Sequence, residues 1–233
     1  MIRVYIGYDA DVEPVAYHVC AGTIIRYCSE PVSITPLHLG NFRKFYQERH
    51  VDGSNAFIYT RFLVPYLEGF RGHALFLDGD MILREGVDLA ELWEMRSHRL
   101  AVQVVKHPDY VTKHPVKYMG ARNENYPRKN WSSVILWNCG HGRNRDLTPE
   151  YVMDKPGSFL HRFEWLKDEV IGDLPPEWNR LVLEQPVTPA DKLLHYTIGT
   201  PCFEAYANGP EAHEWYRAAD LEFGNKEPNA EGR

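Results

Sequence analysis

The sequence predicts an α/β fold in a single domain, a parallel or mixed sheet flanked by helices, and three observations carry that prediction. Apolar runs of strand length alternate along the chain with stretches whose apolar residues recur at helical spacing, the order that packs helices onto the faces of a sheet. The 233 residues, 44% hydrophobic and 25% charged with no low-complexity block, suffice for one substantial core. The run from Leu75 to Leu83 is apolar apart from Asp78-Gly79-Asp80, so a core element carries two acids.

Residues 2–7 open the chain as a strand, and residues 12–28 follow with Val15, Ala16, Val19, Cys20, Ile24 and Ile25 spaced for a helix. Residues 32–37 give a second strand and 41–50 a polar-faced helix. Ser54 is placed to cap a further helix over 55–66, kinked at Pro65. After the Asp78 strand come a short helix at 88–93 and a buried strand at 100–105. Periodicity is then lost over 107–129, where Lys113, Lys117, Arg122, Arg128 and Lys129 are interleaved with Tyr110, Tyr118 and Tyr126. That composition suits a binding loop or lid, and equally a solvated excursion whose tyrosines pack on the sheet. A strand returns at 132–137, prolines hold 174–179 extended or turned, and 211–222 read as a helix. The domain is thus 1–223, with 224–233 a polar flexible tail.

The formal net charge of −6 argues against a general nucleic-acid or anionic-membrane binder, since those partners attract positive charge. The first residues lack the apolar core of a signal peptide, and no run approaches the roughly 18 to 20 apolar residues of a membrane span, which predicts a cytoplasmic protein. Cys20, Cys28, Cys139 and Cys202 form no Cys-x-x-Cys pair and no regular framework, so free thiols are expected rather than structural zinc or disulfides.

Asp78 and Asp80 carry the functional signal. Desolvating an ionised carboxylate costs several kcal/mol or more unless a charge or a metal answers it. In an extended chain residues i and i+2 share a face, so both acids can converge on one ion, and Gly79 lets a ligand approach the backbone. Their oxygens suit hard Mg²⁺ or Mn²⁺. The bland alternative is an exposed acidic turn, but Met81, Ile82 and Leu83 resume the apolar pattern at once and keep the pair at a core element. Among eleven histidines His195 stands out, at the end of an apolar strand entering the Gly/Pro loop 196–201, where backbone amides can face an anion.

Several ordered segments resemble glycosyltransferase family 8, retaining sugar-nucleotide transferases of GT-A fold. Tyr59-Thr60-Arg61-Phe62 is similar to the family's Tyr-x-Arg-[Phe/Leu] helix, and Leu75 to Asp80 to its Leu-[Tyr/Phe]-Leu-Asp-x-Asp strand, followed in both by an Asp-Leu-x-x-Leu-Trp helix. Leu174-Pro175-Pro176-Glu177-Trp178-Asn179 and His195-Tyr196-Thr197-Ile198-Gly199 resemble its Leu-Pro-x-x-[Trp/Phe]-Asn and His-x-x-Gly segments, in the expected order. The resemblance implies a GT-A-type, Rossmann-like mixed sheet. It also implies that Asp78, Asp80 and His195 hold a divalent ion, usually manganese, whose shell is completed by donor diphosphate oxygens. Asp9 would contact the nucleotide base, Arg61 would help hold the donor, and Gly199 would lie at the donor site. Asp168-Glu169 roughly matches the family's Asp-Gln pair near the acceptor and the reacting sugar, although the segment to Trp178 is shorter than the family's, which makes Asp168 the catalytic candidate; the alternative is an exposed helix with Glu164 and Lys167 as neighbours.

Two segments depart from the pattern. The family's His-x-x-Gly-x-x-Lys-Pro-Trp supplies a lysine near the diphosphate, whereas here Gly199 falls one residue late, Pro201 one early, and no lysine lies between them. The family's Asn-[Ser/Ala]-Gly-Val is Trp131-Ser132-Ser133-Val134. The expectation is a metal-dependent retaining glycosyltransferase moving a sugar, from UDP-sugar, to the hydroxyl of a glycan, lipid-linked sugar or other small molecule. A catalytically silent sugar-nucleotide binding module is the main alternative. A haloacid-dehalogenase-type phosphatase also opens on an apolar strand and Asp-x-Asp, but that class expects the strand near the start, and here more than 70 residues precede Asp78 while Asp173 lacks an acidic partner.

Overall fold

A computed structural model describes residues 1–50 and 58–224. Its strands are β1 (Ile2–Gly7), β2 (Val32–Leu37), β3 (His73–Leu77), β4 (Met81–Leu83), β5 (Val102–Val105), β6 (Val134–Asn138), β7 (Ile171–Leu174), β8 (Arg180–Leu181) and β9 (Leu193–His195). The α-helices are α1 (Pro14–Tyr27), α2 (Val64–Leu67), α3 (Leu89–Glu94), α4 (Pro149–Asp154), α5 (Gly157–His161) and α6 (Ala212–Phe223). The main sheet runs β2-β1-β3-β6-β5-β7, and a smaller one runs β4-β9-β8. β1 pairs parallel with β2 and β3, β6 is antiparallel to β3 and β5, and β5 is parallel to β7, so the sheet is mixed as the sequence predicts.

The inner strands β3, β5 and β6 are buried on both faces because helices and turns cover both. Side chains alternate across a strand. Ile2, Val4 and Ile6 of β1, with Leu75 and Leu77 of β3, pack with Cys20 and Ile24 of α1 and with Leu89 and Leu92 of α3. Tyr5, Ala74 and Phe76 face the other way, into a layer with Phe62, Leu63, Trp137 and Phe163. Helix α1 starts at Pro14, in the first helical turn where a missing N–H removes no bond. Asp88 caps α3, its carboxylate accepting the Ala90 N–H at 2.9 Å.

Three expectations need correction. Residues 41–50 form no α-helix; a 3₁₀ turn at Leu39–Phe42 is followed by irregular chain that buries Phe42 and Tyr46. The Ser54 cap and the start of the helix expected over 55–66 lie outside the described residues, as does the tail beyond Gly224. The described part of that segment is a 3₁₀ turn, Thr60–Leu63, running into α2, and Pro65 sits in the first turn of α2, where proline is tolerated without a kink. The apolar run from Leu75 to Leu83, whose acids the sequence reads in extended chain at the end of a core element, is two strands in different sheets, β3 and β4, and Asp78-Gly79-Asp80 between them is the turn that joins them. Among the described residues no helix is long and apolar enough to cross a membrane, and all four cysteines are free.

The orientation of α1 makes neighbouring isoleucines unequal: Ile24 is fully buried and Ile25 is 64% exposed. Ile24→Ala should destabilise the protein by about 2–5 kcal/mol in urea denaturation through cavity formation, while Ile25→Ala should stay within about 0.5 kcal/mol. Equal losses would contradict this packing of α1.

Candidate metal centre

The two acids sit where the chain passes from one sheet to the other. The Asp78 N–H still donates to the Ser133 carbonyl at 3.0 Å, extending the β3–β6 ladder, and the chain then turns sharply through Gly79 and Asp80. A Cβ at Gly79 would lie 2.3 Å from the Gly7 carbonyl oxygen, so the turn can press against the end of β1 only with glycine there. β4 then pairs antiparallel with β9, placing His195 opposite Met81, and the Tyr196 N–H donates to the Asp80 carbonyl at 2.9 Å. The small sheet thereby delivers His195 to the acids across more than a hundred residues of sequence.

His195 Nε2 lies 3.2 Å from Asp80 Oδ1 and 4.0 Å from an oxygen of Asp78. Its other ring nitrogen, Nδ1, is 2.9 Å from Asn179 Oδ1. The Asn179 amide is oriented by Nδ2 donating to the Asn130 carbonyl at 3.3 Å and to His107 Nε2 at 3.2 Å. Burial, reinforced by His195, lowers the His107 imidazole to about 4, so it is neutral and can accept that bond. Asn179 Oδ1 therefore accepts from His195 Nδ1–H and turns Nε2 toward the carboxylates, the orientation of a metal-ligating histidine. Ligand atoms of Asp78, Asp80 and His195 lie within 4.8 Å of one another. Oδ1 of each aspartate is enclosed without a hydrogen bond of ordinary geometry. Two oxygens and one imidazole nitrogen facing a common point fit a divalent cation.

Positive charge is supplied from two further elements. Arg61 Nη2 is 2.8 Å from Asp78 Oδ1, while Nε and Nη1 donate to the carbonyls of Ile58 and Ser132 at 2.7 and 2.8 Å, and the guanidinium lies 4.8 Å from the Phe76 ring centroid. Burial raises the Asp78 carboxyl above its usual range against the pull of Arg61. Burial also pushes on Asp80, but His195 and Lys117 outweigh it and hold that carboxyl below its usual range. Lys117 comes from the irregular 107–129 stretch. Its Nζ donates to Thr197 Oγ1 at 3.1 Å, and burial lowers its ammonium against the opposing field of Asp80 and Asp78. The same stretch is docked by the Tyr118 N–H donating to the Ile198 carbonyl at 2.9 Å and by the Tyr118 ring stacked on Phe203.

A cavity of about 110 Å³ opens on this centre, and its wall includes Asp9, Arg61, Asp78, Asp80, Lys117 and His195. Asp9 is buried at the head of α1, where its Oδ1 accepts the N–H groups of Asp11 and Val12, each at 3.2 Å. Nearby Glu13 accepts the Thr200 hydroxyl; burial, with help from Asp80, raises its carboxyl to about 8 and keeps it protonated at neutral pH.

Five of the residues singled out in the sequence therefore meet in one cleft: Asp9, Arg61, Asp78, Asp80 and His195. Gly199 is not on its wall. The Gly199 N–H donates to the Tyr196 carbonyl at 2.9 Å, and a Cβ at 199 would run into the Tyr206 ring, so close packing there requires glycine. Asp168 is not on the wall either; its side chain is 81% exposed and pairs with Arg128. Sequence reasoning missed Lys117, Glu13 and the orienting role of Asn179. Lys117 was visible only as one of several cations in an aperiodic stretch, and nothing local marks which cation folds back.

No protein-family profile matches the chain. Among solved structures it superposes on WbbM, a bifunctional glycosyltransferase, with a TM-score of 0.61 and 17% identity over 93% of this chain, and spans about half, 51%, of that protein's length. GlyE, a glycosyltransferase of Streptococcus pneumoniae, gives a TM-score of 0.60 at 16% identity, covering 94% of this chain and 61% of GlyE. LgtC, a galactosyltransferase solved with donor and acceptor sugar analogues, gives 0.59 at 12% identity with 97% of this chain and 98% of LgtC covered. These likenesses identify the fold as GT-A. Sequence identity reaches further with Protein CDI of Arabidopsis thaliana, 40% over 237 aligned residues that cover 98% of this chain and 89% of the relative; the chain belongs to the family of Protein CDI.

Proposed function

We propose that this protein is a divalent-metal-dependent, retaining glycosyltransferase of the family 8 type, moving a sugar from a UDP-sugar to an acceptor hydroxyl. The observation that carries the reading is the convergence of Asp78, Asp80 and the Nε2 of His195 in a cleft that also holds Arg61 and Lys117. Asp78, Asp80 and His195 would hold Mn²⁺ or Mg²⁺, which supplies Lewis-acid stabilisation of the charge that develops on a departing diphosphate. Arg61 fixes the Asp78 carboxylate. Lys117 takes the part of the lysine absent after Gly199, its ammonium facing the diphosphate. Asp9, at the head of α1, marks the end of the cleft that receives the nucleoside. Retention rests on the family 8 resemblance: the acceptor attacks from the face the diphosphate leaves, and a phosphate oxygen can take the hydroxyl proton, so no side-chain base is required. Asp168, exposed and held by Arg128, is not assigned a part in the chemistry.

UDP should raise the melting temperature more with Mn²⁺ than with a chelator, because a ligand stabilises the state it binds. Asp80→Ala and His195→Ala should each abolish the difference; an unchanged metal dependence in both would place the ion elsewhere. Hydrolysis of a UDP-sugar in the presence of Mn²⁺ separates an enzyme from a binding module, which would bind without turnover.

Lys117→Met should weaken UDP binding by about tenfold or more, the loss expected for one charge-assisted hydrogen bond, without disturbing the fold. UDP affinity equal to that of the unaltered protein would remove Lys117 from the diphosphate site. NMR of the first product formed from an α-linked donor should show an α-linkage, and a β-linkage would overturn retention.

A further inference from the structure

A second cavity, of about 480 Å³, adjoins the metal centre, bounded by residues 122–130 on one side and 157–162 on the other. The two share Ile58, Lys117, Tyr126, Asn130 and His161 as walls, so only these side chains stand between them. The second one lies on the side away from Asp9 and α1, neither of which reaches its wall.

The charge of its wall is opposite to that of the protein. The chain carries a net −6, yet Lys117, Arg122, Lys129 and Arg162 line this space and Glu124 is the one acid among the described lining residues. Glu124 does little to balance them, being 75% exposed and 3.8 Å from the still more exposed Arg122, a spacing at which a solvated pair is weak. Lys129 Nζ is held in place by Asn123 Oδ1 at 2.5 Å and by the Glu124 carbonyl at 2.6 Å, neutral acceptors that orient the ammonium without an ion pair, while the carboxylates of Glu184 and Glu124 act on it only through their field. Burial lowers that ammonium only to about 8, so it is still mostly charged at neutral pH. Arg162 Nε and His161 Nε2 are enclosed and have no hydrogen-bond partner. His161 Nδ1 is 2.7 Å from Ser132 Oγ, and burial keeps the ring neutral, leaving Nε2 as a polar edge suited to a sugar hydroxyl. Enclosed polar groups without protein partners are uncommon, and where they line a cavity, water or a ligand polar group can complete the bonding.

We propose that this cavity is the acceptor subsite and that it recognises an acceptor sugar bearing an oxyanion, a phosphate or a carboxylate, through Arg122, Lys129 and Arg162. The assignment rests on the proposed donor site, which fills the Asp9 side of the metal centre with nucleotide and leaves this cavity for the second substrate. A hydroxyl of the acceptor reaches the donor sugar past Tyr126 and His161, and the oxyanion stays behind on the cationic wall. Electrostatic complementarity of this kind discriminates between partners more than it adds raw affinity, so a neutral sugar would be bound poorly.

The test titrates the protein, saturated with Mn²⁺ and UDP, with glucose 6-phosphate, glucuronate and glucose in parallel calorimetric or NMR experiments. Glucose 6-phosphate or glucuronate should bind at least tenfold more tightly than glucose, without displacing UDP, and the better of the two identifies the oxyanion as phosphate or carboxylate. Arg122→Glu combined with Arg162→Gln should cut the affinity for that probe at least tenfold while UDP affinity stays within about twofold; both side chains reach solvent, so the fold should survive. Three results would overturn the proposal: both anionic sugars binding no better than glucose, unchanged affinity in the double variant, or an anionic sugar that competes with UDP. Failure of UDP to bind would count against the donor reading alone, because the same titration without UDP still reports whether the cavity prefers an anion.

Discussion

Two carboxylates enclosed at the end of a core strand must be answered by positive charge, and much of this fold is arranged around that requirement. Asp78 lies at the end of β3, in the middle of the main sheet, where an unanswered charge would be costly. Arg61 meets it from the 3₁₀ turn Thr60–Leu63, with its remaining nitrogens saturated by backbone carbonyls so that the guanidinium cannot swing away. The small sheet serves Asp80 in the same way. Without the β4–β9 register, His195 would have no reason to be near a residue 115 positions earlier in the chain.

The charges at the centre nearly cancel without a ligand. Counted formally, Asp78 and Asp80 contribute two negative charges and Arg61 and Lys117 two positive ones, while Glu13 keeps its proton. A divalent cation alone would leave the cleft strongly positive, and a diphosphate alone would leave it strongly negative. Together the two restore the balance. On the proposed reading, metal and donor should therefore each favour the binding of the other, and by linkage the coupling is equal in both directions.

How much of this could be read from sequence depended on whether the signal was local. β1 and β2 fall at the predicted residues, because an apolar run bounded by turn formers is enough to define a strand. Asp78 and Asp80 were legible because two acids violate an apolar pattern, although the pattern concealed that the chain changes sheets between Leu77 and Met81. Residues 41–50 misled because Phe42 and Tyr46 are spaced as on a helix, yet tertiary packing buries them from a 3₁₀ turn and irregular chain. Gly199 and Asp168 were assigned by resemblance at segments where the match was already imperfect, and at both the side chain or amide is engaged elsewhere. Lys117 carried no local mark at all; its place is set by Thr197, Ile198 and Phe203, some 80 residues further on.

That placement bears on how a departure from a motif should be weighed. The segment after His195 lacks the lysine of the family 8 pattern it resembles, and by that motif alone the cleft would be short of one positive charge. A field has no sequence position, however; what Asp78, Asp80 and a bound diphosphate respond to is an ammonium at a given distance in a poorly solvated cleft. The 196–203 segment still determines where that ammonium sits, because Thr197 accepts its hydrogen bond while Ile198 and Phe203 anchor the neighbouring Tyr118. On the proposed reading, the segment positions a lysine that it does not itself supply. A substitution at Thr197 or Phe203 would thus act on the charge of the cleft without altering any charged residue, a coupling that becomes visible only once the chain is folded.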